Sequence, residues 1–259
     1  MLSIGGAIAT NNLPSAEAAV TAAKMIWGLF MGGNDPKLTP LRPFGPNIKL
    51  DGIDIDNEAP AYSTYIPDLV KALHAEFATD QSKRYYLSAA PQCPRPDQSI
   101  PMPQIIPELD YVFVQFYNNP SCNLPSGSPF LDSLRAWSQD LITASSSSSQ
   151  APSTPTYQIA PPAPPRPRPQ QRRHLSGALV NKATSSSSTS PGPKLFIGVL
   201  ATPGSGYVDP SGLKTILDQV KGLNIPNLGG VVYWDGAYQA LSGKNGGKTY
   251  AQVVRETLT

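Results

Sequence analysis

The sequence predicts an α/β fold in which helices cover a parallel sheet. Short apolar runs of strand length alternate with longer segments whose apolar residues recur at helical spacing, and six strands are predicted. Because a helix between two strands returns the chain to the same edge of the sheet, this alternation indicates parallel pairing. Four carboxylates gather within residues 50–58, along and just after the second predicted strand, which makes this stretch the candidate site.

The chain begins with a predicted strand over residues 1–6 that ends in two glycines. A helix is predicted over 15–31, because Ser15 is suited to cap its first turn and apolar residues then recur every three or four positions. A pair of glycines ends this helix, and a proline-rich loop follows over 34–47.

The next predicted strand, over 48–56, carries acids on one face and isoleucines on the other. Its side chains alternate with the two-residue period of a strand, so Asp54, Asp56 and Glu58 project to one side. Buried carboxylates are costly unless they are paired or used, and like charges at close range raise the pKa of at least one of them. A carboxyl group that keeps its proton beside an ionised partner is the arrangement used in glycoside hydrolysis.

Two other interpretations of this strand compete. It fits a solvated edge strand whose acids lie in water, since charges are common on sheet edges. It also has the Asp-x-Asp-x-Glu spacing that begins a calcium-binding loop, but such a loop needs glycine at its sixth position and glutamate at its twelfth. Ala59 and Tyr65 occupy these positions, which argues against calcium.

The middle of the chain is predicted to hold a helix over 62–79 and strands over 85–90 and 111–117. In the strand over 111–117, Gln115 and Tyr117 share one face with two further aromatic residues, while valines occupy the opposite face. The valine face suits packing against helices. The aromatic and polar face suits the interior of a barrel.

Composition changes after a predicted helix over 129–142. Residues 145–193 hold 12 Ser and 10 Pro with almost no periodic apolar pattern, and they carry basic residues without any acid. Such a segment cannot bury enough apolar surface to fold, so we expect a disordered insert. Its Pro-Pro-Arg-Pro-Arg-Pro run also fits a polyproline II ligand or an anion-binding arm, and unremoved intron sequence would look the same.

Predicted structure resumes after the insert with a strand over 194–200, a helix over 210–222, a strand over 229–235 and a closing helix over 249–259. The insert therefore divides one catalytic domain into an N-terminal part, residues 1–144, and a C-terminal part, residues 194–259.

The overall composition narrows the classes of function. The 259 residues include 20 basic and 18 acidic side chains, and this near balance gives no argument for a nucleic-acid partner. The sequence has no run of 18 or more apolar residues, so no membrane span is predicted. Two cysteines are too few for a disulfide scaffold, although they allow one bridge.

The acidic strand carries a motif that resembles a known family. Its pattern Asp51-Gly52-x-Asp54-x-Asp56-x-Glu58 resembles the signature of the family 18 glycoside hydrolases, and more narrowly that of the class III chitinases of fungi and plants. Further stretches are similar to the same enzymes, and the likeness spans nearly all of the chain outside the insert. They are Ser3-Ile4-Gly5-Gly6, Gln115-Phe116-Tyr117-Asn118-Asn119-Pro120-Ser121-Cys122 and Pro203-Gly204-Ser205-Gly206-Tyr207-Val208.

The resemblance implies a (β/α)8 TIM barrel that is incomplete here, with six of its eight strands. The strand over 1–6 is similar to the third strand of the family, so the first two βα units are expected to be missing from residues 1–259. Both outer strands would then lack a partner. We therefore expect this chain, taken alone, to aggregate and to be nearly inactive.

The resemblance also implies an endo-acting chitinase that hydrolyses chitin, the β-1,4-linked polymer of N-acetylglucosamine, or its oligomers by a substrate-assisted, retaining mechanism. No cofactor, metal, nucleic acid or membrane is expected to take part, and the protein is expected to be a monomer. An extracellular or cell-wall location is implied, although no signal peptide is predicted after Met1. Two alternatives stay open: a non-catalytic carbohydrate-binding protein, and a truncated, inactive fragment of a chitinase.

The same resemblance implies roles for individual residues. Glu58 is expected to protonate the glycosidic oxygen, while Asp56 orients the acetamido group of the substrate with the help of Tyr117. Asp54 is expected to share a proton with Asp56. The residues expected to hold the sugar are Gly6, Gln115, Asn118 and Trp234, and those expected to form a disulfide are Cys93 and Cys122.

Overall fold

A computed structural model of the protein describes residues 1–10, 12–148, 192–241 and 247–258. The strands in these ranges are β1 (Leu2–Gly5), β2 (Gly52–Asp56), β3 (Tyr86–Ala89), β4 (Tyr111–Gln115), β5 (Lys194–Leu200) and β6 (Leu228–Trp234). The α-helices are α1 (Ala16–Phe30), α2 (Ile66–Phe77), α3 (Met102–Ile105), α4 (Ser128–Ser148), α5 (Pro210–Lys221), α6 (Gly236–Leu241) and α7 (Tyr250–Leu258).

The six strands form one sheet in the order of the chain, and every neighbouring pair is parallel. This confirms the predicted α/β class and the parallel pairing. β1 and β6 are the outer strands, and no backbone ladder joins them within the described ranges. The carboxyl ends of all six strands therefore lie at one edge of a single sheet.

The helix α1 begins where the sequence predicts. The Ser15 hydroxyl accepts a hydrogen bond from the backbone N–H of Ala18 at 3.1 Å and so caps the first turn. By contrast, α2 begins at Ile66, later than predicted, because residues Pro60–Tyr62 form a separate 3₁₀ turn. Pro67 then occupies the first turn of α2, where its missing N–H costs nothing.

β2 begins at Gly52, four residues later than predicted, because Leu50 bonds to the end of α1 and not to a neighbouring strand. The backbone N–H of Leu50 donates to the carbonyl of Phe30 at 2.9 Å, at the end of α1. Gly52 itself packs closely on β3, since a Cβ there would lie 2.3 Å from the carbonyl oxygen of Tyr86. Only glycine fits at this contact between the acidic strand and β3.

The apolar core lies between the outer face of the sheet and the helices. Each strand contributes alternate side chains to this layer, and burying an aliphatic side chain of this size contributes about 1.5–3 kcal/mol. The fully buried apolar side chains on the strands are Ile53, Leu87, Ala89, Val112, Val114, Leu195, Ile197 and Val199. The predicted valine face of β4 is therefore confirmed as the helix-packing face.

A disulfide joins Cys93 and Cys122, with an S–S distance of 2.03 Å and a Cα–Cα distance of 5.9 Å. Cys93 follows β3 and Cys122 follows β4, so the bridge ties the two neighbouring loops at the carboxyl edge of the sheet. The indole N–H of Trp137 donates to the Cys93 carbonyl at 3.2 Å. The pairing expected from the family resemblance is therefore confirmed.

The helix α4 continues to Ser148, although the sequence predicts its end at 142 and the disordered insert from 145. In this added turn the serine hydroxyls bond to the preceding turn: Ser145 donates to the Leu141 carbonyl at 2.8 Å and Ser146 to the Ile142 carbonyl at 2.9 Å. The remainder of the predicted insert, except for its last two residues, lies outside the described residues. Among the helices that the structure describes, none has both the length and the apolarity needed to span a bilayer.

Candidate active site

Three acids follow one another on the inner face of β2 and just beyond its end. Asp54 is 7% exposed, while Asp56 and Glu58 are half-buried. Ile53 and Ile55 point the other way into the core, as the two-residue alternation predicts. The edge-strand interpretation is wrong, because β2 lies between β1 and β3.

Asp54 is held by two serines from the neighbouring strands. The Ser3 hydroxyl on β1 donates to Asp54 Oδ2 at 2.8 Å, and the Ser88 hydroxyl on β3 donates to Oδ1 at 2.6 Å. Burial raises the pKa of Asp54, and these two hydrogen bonds act in the opposite direction. Asp54 also acts on Asp56, two residues further along β2, because its charge raises the pKa of Asp56.

Asp56 lies at the centre of the charged row. Gln115 Nε2 donates to Asp56 Oδ1 at 2.9 Å and also to the Ala90 carbonyl at 3.0 Å, which fixes the amide between β2, β3 and β4. Burial, then the charge of Glu58 and then that of Asp54 raise the pKa of Asp56 to about 7, and the hydrogen bond from Gln115 opposes them. Asp56 therefore retains a proton in a large share of molecules near neutral pH.

Glu58 and Tyr117 complete the polar cluster. Burial raises the pKa of Glu58, and the negative charge of Asp97 raises it further, while the Gln115 amide opposes both. Burial also raises the pKa of the Tyr117 hydroxyl, and the charges of Asp56 and Glu58 add to the effect. The cluster thus combines carboxyl groups that hold protons above their usual range with a phenol that stays neutral and can donate a hydrogen bond.

Tyr117 lies two residues beyond the end of β4 and is fixed by the loop after β5. Gly206 packs on it with φ +92°, and a Cβ at this glycine would lie 2.8 Å from the Cα of Tyr117. A side chain larger than hydrogen would therefore displace the tyrosine. The Asn118 N–H also donates to the Ser205 carbonyl at 2.8 Å, so backbone bonding holds the same loop in place.

A cavity of about 140 Å³ opens on the inner face of the sheet at this point. It is lined by Ser3, Asp54, Asp56, Ala90, Phe113, Gln115, Tyr117, Gly198, Val232, Tyr233 and Trp234. Residues on β1, β2, β4, β5 and β6 therefore line the cavity, and Ala90 directly after β3 completes it. The indole of Trp234 is 56% exposed and forms a wall open to solvent.

The remaining predicted site residues lie at the margin. The Gly6 N–H donates to the Asp56 carbonyl at 2.7 Å, and a Cβ on Gly6 would lie 4.0 Å from Asp56 Oδ2, so this glycine is next to the central acid. Asn118 is exposed with φ 60° and is not one of the cavity-lining residues. Glu58 is not a lining residue either, and its charge couples to the cavity through Asp56 and Tyr117.

Sequence reasoning did not identify Ser88 or Asp97 as site residues. Ser88 lies opposite Asp54 in the β2–β3 register, and Ser3 lies opposite it in the β1–β2 register, so one row of the sheet runs Ser–Asp–Ser. Ser88 could have been identified only from the pairing register of the strands, which the sequence analysis did not include. In the described ranges, no group of three or more His, Cys, Asp or Glu side chains is arranged to hold a metal ion.

Comparison with known proteins agrees with this geometry. The sequence pattern of the family described as Glycosyl hydrolases family 18 matches residues 1–207. The chain is 35% identical over 240 residues to Endochitinase 3 of Metarhizium robertsii, covering 91% of this chain and 59% of that protein. It is 31% identical over 259 residues to Chitinase 2 of Candida albicans, of which it covers 35%.

Among solved structures, the xylanase and α-amylase inhibitor protein XAIP-II of Scadoxus multiflorus is similar, with a TM-score of 0.64 and 24% identity over 99% of this chain and 73% of that one. The likeness shows the shared fold, in agreement with the predicted architecture. The chain spans about six tenths of the length of the Metarhizium relative and a smaller share of the Candida one. Because the family pattern covers most of the sequence, the chain belongs to family 18 of the glycosyl hydrolases.

Proposed function

We propose that this chain carries the site that hydrolyses the β-1,4 bonds of chitin and of N-acetylglucosamine oligomers. The observation that carries the proposal is the cluster of Asp56, Glu58 and Tyr117 at the cavity, in which burial raises the pKa of each group and the charges of the two acids act on their neighbours. Such a cluster keeps a proton available at neutral pH, which an acid-catalysed glycosidase requires. The names of similar proteins, such as Endochitinase 3 of Metarhizium robertsii, support the choice of substrate.

In the proposed reaction, Glu58 gives its proton to the glycosidic oxygen while the C–O bond to the leaving sugar breaks. The carbonyl oxygen of the substrate's own acetamido group attacks the anomeric carbon and forms an oxazolinium ion. Water then attacks the same carbon, the bond from this carbon to the acetamido oxygen breaks, and the Glu58 carboxylate takes a proton from the water. Two displacements at one carbon give net retention of configuration, with the substrate rather than a second carboxylate as nucleophile.

The other residues act on the acetamido group. Asp56 accepts a hydrogen bond from the acetamido N–H and stabilises the positive charge of the oxazolinium ion, and the Tyr117 hydroxyl donates to the acetamido oxygen. Asp54 shares the proton that Asp56 must give up, since burial raises the pKa of both carboxyls. Gly6, Gln115, Asn118 and Trp234 hold the sugar, and the exposed indole offers an apolar face to its C–H groups.

The proposal includes cleavage within the polymer rather than at its ends, because the cavity is open to solvent at the exposed Trp234. We also propose that the protein acts as a secreted or cell-wall monomer. The disulfide between Cys93 and Cys122 supports an oxidising location, because such bonds persist outside the cytosol.

The experiment compares an N-acetylglucosamine oligomer with its fully deacetylated counterpart as substrates for the purified protein. We expect hydrolysis of the acetylated oligomer only, with β-anomeric product appearing first in an NMR time course. Equal hydrolysis of both would contradict the acetamido nucleophile. Binding without hydrolysis would favour the alternative of a non-catalytic carbohydrate-binding protein, and a chitinase-like lectin from tamarind does share this fold.

A further inference from the structure

The loop over 91–100 lies beside the acid cluster and is shaped by a single side chain, Asp97. Asp97 Oδ2 accepts from the Gln92 N–H at 2.8 Å, and Oδ1 accepts from the N–H groups of Ser99 at 2.8 Å and Ile100 at 2.6 Å. Asp97 is half-buried. A carboxylate that accepts three backbone donors joins both halves of the loop and fixes its shape.

Both ends of this loop contact the neighbours of the proposed proton donor. Ser99 accepts at its carbonyl from Asn57 Nδ2 at 2.5 Å, and Asn57 directly precedes Glu58. At the other end, Gln92 forms a parallel bridge with Gln115, the residue whose amide binds Asp56. A change in the shape of the loop would therefore move the surroundings of Glu58 from two sides.

We propose that Asp97 is a positioning residue for Glu58: it holds the loop over 91–100 against Asn57 and Gln115, and its negative charge acts on the Glu58 carboxyl. This inference rests on the proposed function, because it matters for catalysis only if Glu58 is the proton donor. Asp97 does not touch the cavity that the acids line, so it acts through Glu58.

The charge of Asp97 has a direction that can be tested. Its repulsion raises the pKa of Glu58 and favours the protonated form that the reaction needs. The other titratable groups that interact with Glu58 are Asp56 on β2 and Tyr117 beyond β4. Asp97 is thus the carboxylate that acts on Glu58 from the loop after β3.

Asp140 provides a matched control for Asp97. A separate cavity of about 480 Å³ lies on the far side of the loop, and both aspartates line it. Asp140 Oδ2 accepts from Arg95 Nε at 2.9 Å in a partly exposed ion pair and is not one of the groups that shift Glu58. Arg95 belongs to the same loop, and the remaining oxygen of Asp140→Asn can still accept from it, so this variant removes a charge from the same cavity and the same loop without removing a charge that acts on Glu58.

The test compares Asp97→Asn with Asp140→Asn in the full chain. Asparagine keeps one carbonyl oxygen for the N–H groups of Ser99 and Ile100, so two of the three loop bonds persist in Asp97→Asn and the loop can keep its shape. Two readouts are used: the pH profile of kcat/KM on an N-acetylglucosamine oligomer, and the titration of Glu58 by ¹³C NMR with carboxyl-labelled glutamate. The chain has five glutamates, and the Glu58 signal is assigned by its loss in Glu58→Gln.

We expect the alkaline limb of the profile and the Glu58 titration both to move to lower pH in Asp97→Asn and to stay in place in Asp140→Asn. A uniform loss of activity at every pH, with an unmoved Glu58 titration, would mean that Asp97 only builds the loop and would overturn the inference. If the wild-type chain hydrolyses nothing, the proposed function fails, while the NMR titration still decides whether Asp97 sets the protonation of Glu58.

Discussion

Ser88 and Asp54 face each other across neighbouring strands, and the Ser88 hydroxyl donates to Asp54 Oδ1 at 2.6 Å. Ser88 is fully buried, so water cannot replace this donor. We expect Ser88→Ala to lower the free energy of unfolding by about 1–3 kcal/mol, because it leaves a buried carboxylate with one partner fewer. Urea unfolding measures this loss.

Ser63→Ala is the control for Ser88, because the Ser63 hydroxyl makes an exposed hydrogen bond to the Pro60 carbonyl at 2.8 Å. Ser63→Ala should change the free energy of unfolding by no more than about 0.5 kcal/mol. Equal effects of the two variants would show that the bond to Asp54 is not important for stability.

The raised pKa of Asp56 predicts how the stability of the protein depends on pH. Its pKa is raised from 3.8 to about 7 in the folded protein, so the folded state binds more protons than the unfolded state between these values. The stability that Asp56 contributes to the folded state is fully present below about pH 3.8 and is lost as the pH rises through about 7. We therefore expect Asp56→Asn to raise the Tm relative to wild type at pH 8 more than at pH 5, measured by calorimetry. Asp218→Asn, in an exposed ion pair with Lys214, should show no such trend, and a pH-independent Tm difference for Asp56→Asn would contradict the raised pKa.

Trp234 is expected to act in binding rather than in stability. Because its indole is 56% exposed, Trp234→Ala should change the Tm little and weaken oligomer binding roughly tenfold, or about 1.4 kcal/mol. Tyr238→Ala removes an aromatic ring that is 47% exposed but does not line the cavity, and it should leave affinity unchanged. Isothermal titration with an N-acetylglucosamine oligomer distinguishes the two, and an equal loss in both would rule out a specific platform.

The disulfide is expected to contribute about 3.5 kcal/mol to the free energy of unfolding, since it closes a loop with a sequence separation of 29. Cys93→Ala combined with Cys122→Ala should lower the denaturation midpoint accordingly. Thiol titration of the denatured wild-type protein should find no free thiol, because the chain has only these two cysteines. Two free thiols would contradict both the bridge and the proposed secreted location.

The features that follow from local patterns could be predicted from the sequence. Alternation placed Asp54 and Asp56 on the inner face and Ile53 in the core, and the structure confirms it. Helical spacing and the cap at Ser15 located α1 to within a residue at each end. These signals involve residues that are close in the chain, so one stretch of sequence is enough to read them.

The features that depend on distant residues could not be predicted. Ser88 is 34 positions from Asp54, and only the register of the folded sheet brings the two together. Asp97 stands in a loop without periodicity, and its contacts with three backbone amides leave no pattern in the sequence. The short helices α3 and α6 were missed for a similar reason, since six residues or fewer give too little periodic signal.

The central claim is that Glu58 donates the proton, and the most direct measurement is the activity of Glu58→Gln on an N-acetylglucosamine oligomer. A general acid contributes about 10²–10⁴-fold, so we expect kcat/KM to fall by at least about a hundredfold while the oligomer still binds with an affinity within a few-fold of wild type. Glu108→Gln, which removes an exposed carboxylate paired with His74, should keep full activity. Retention of more than roughly a tenth of the wild-type activity by Glu58→Gln would contradict the assignment.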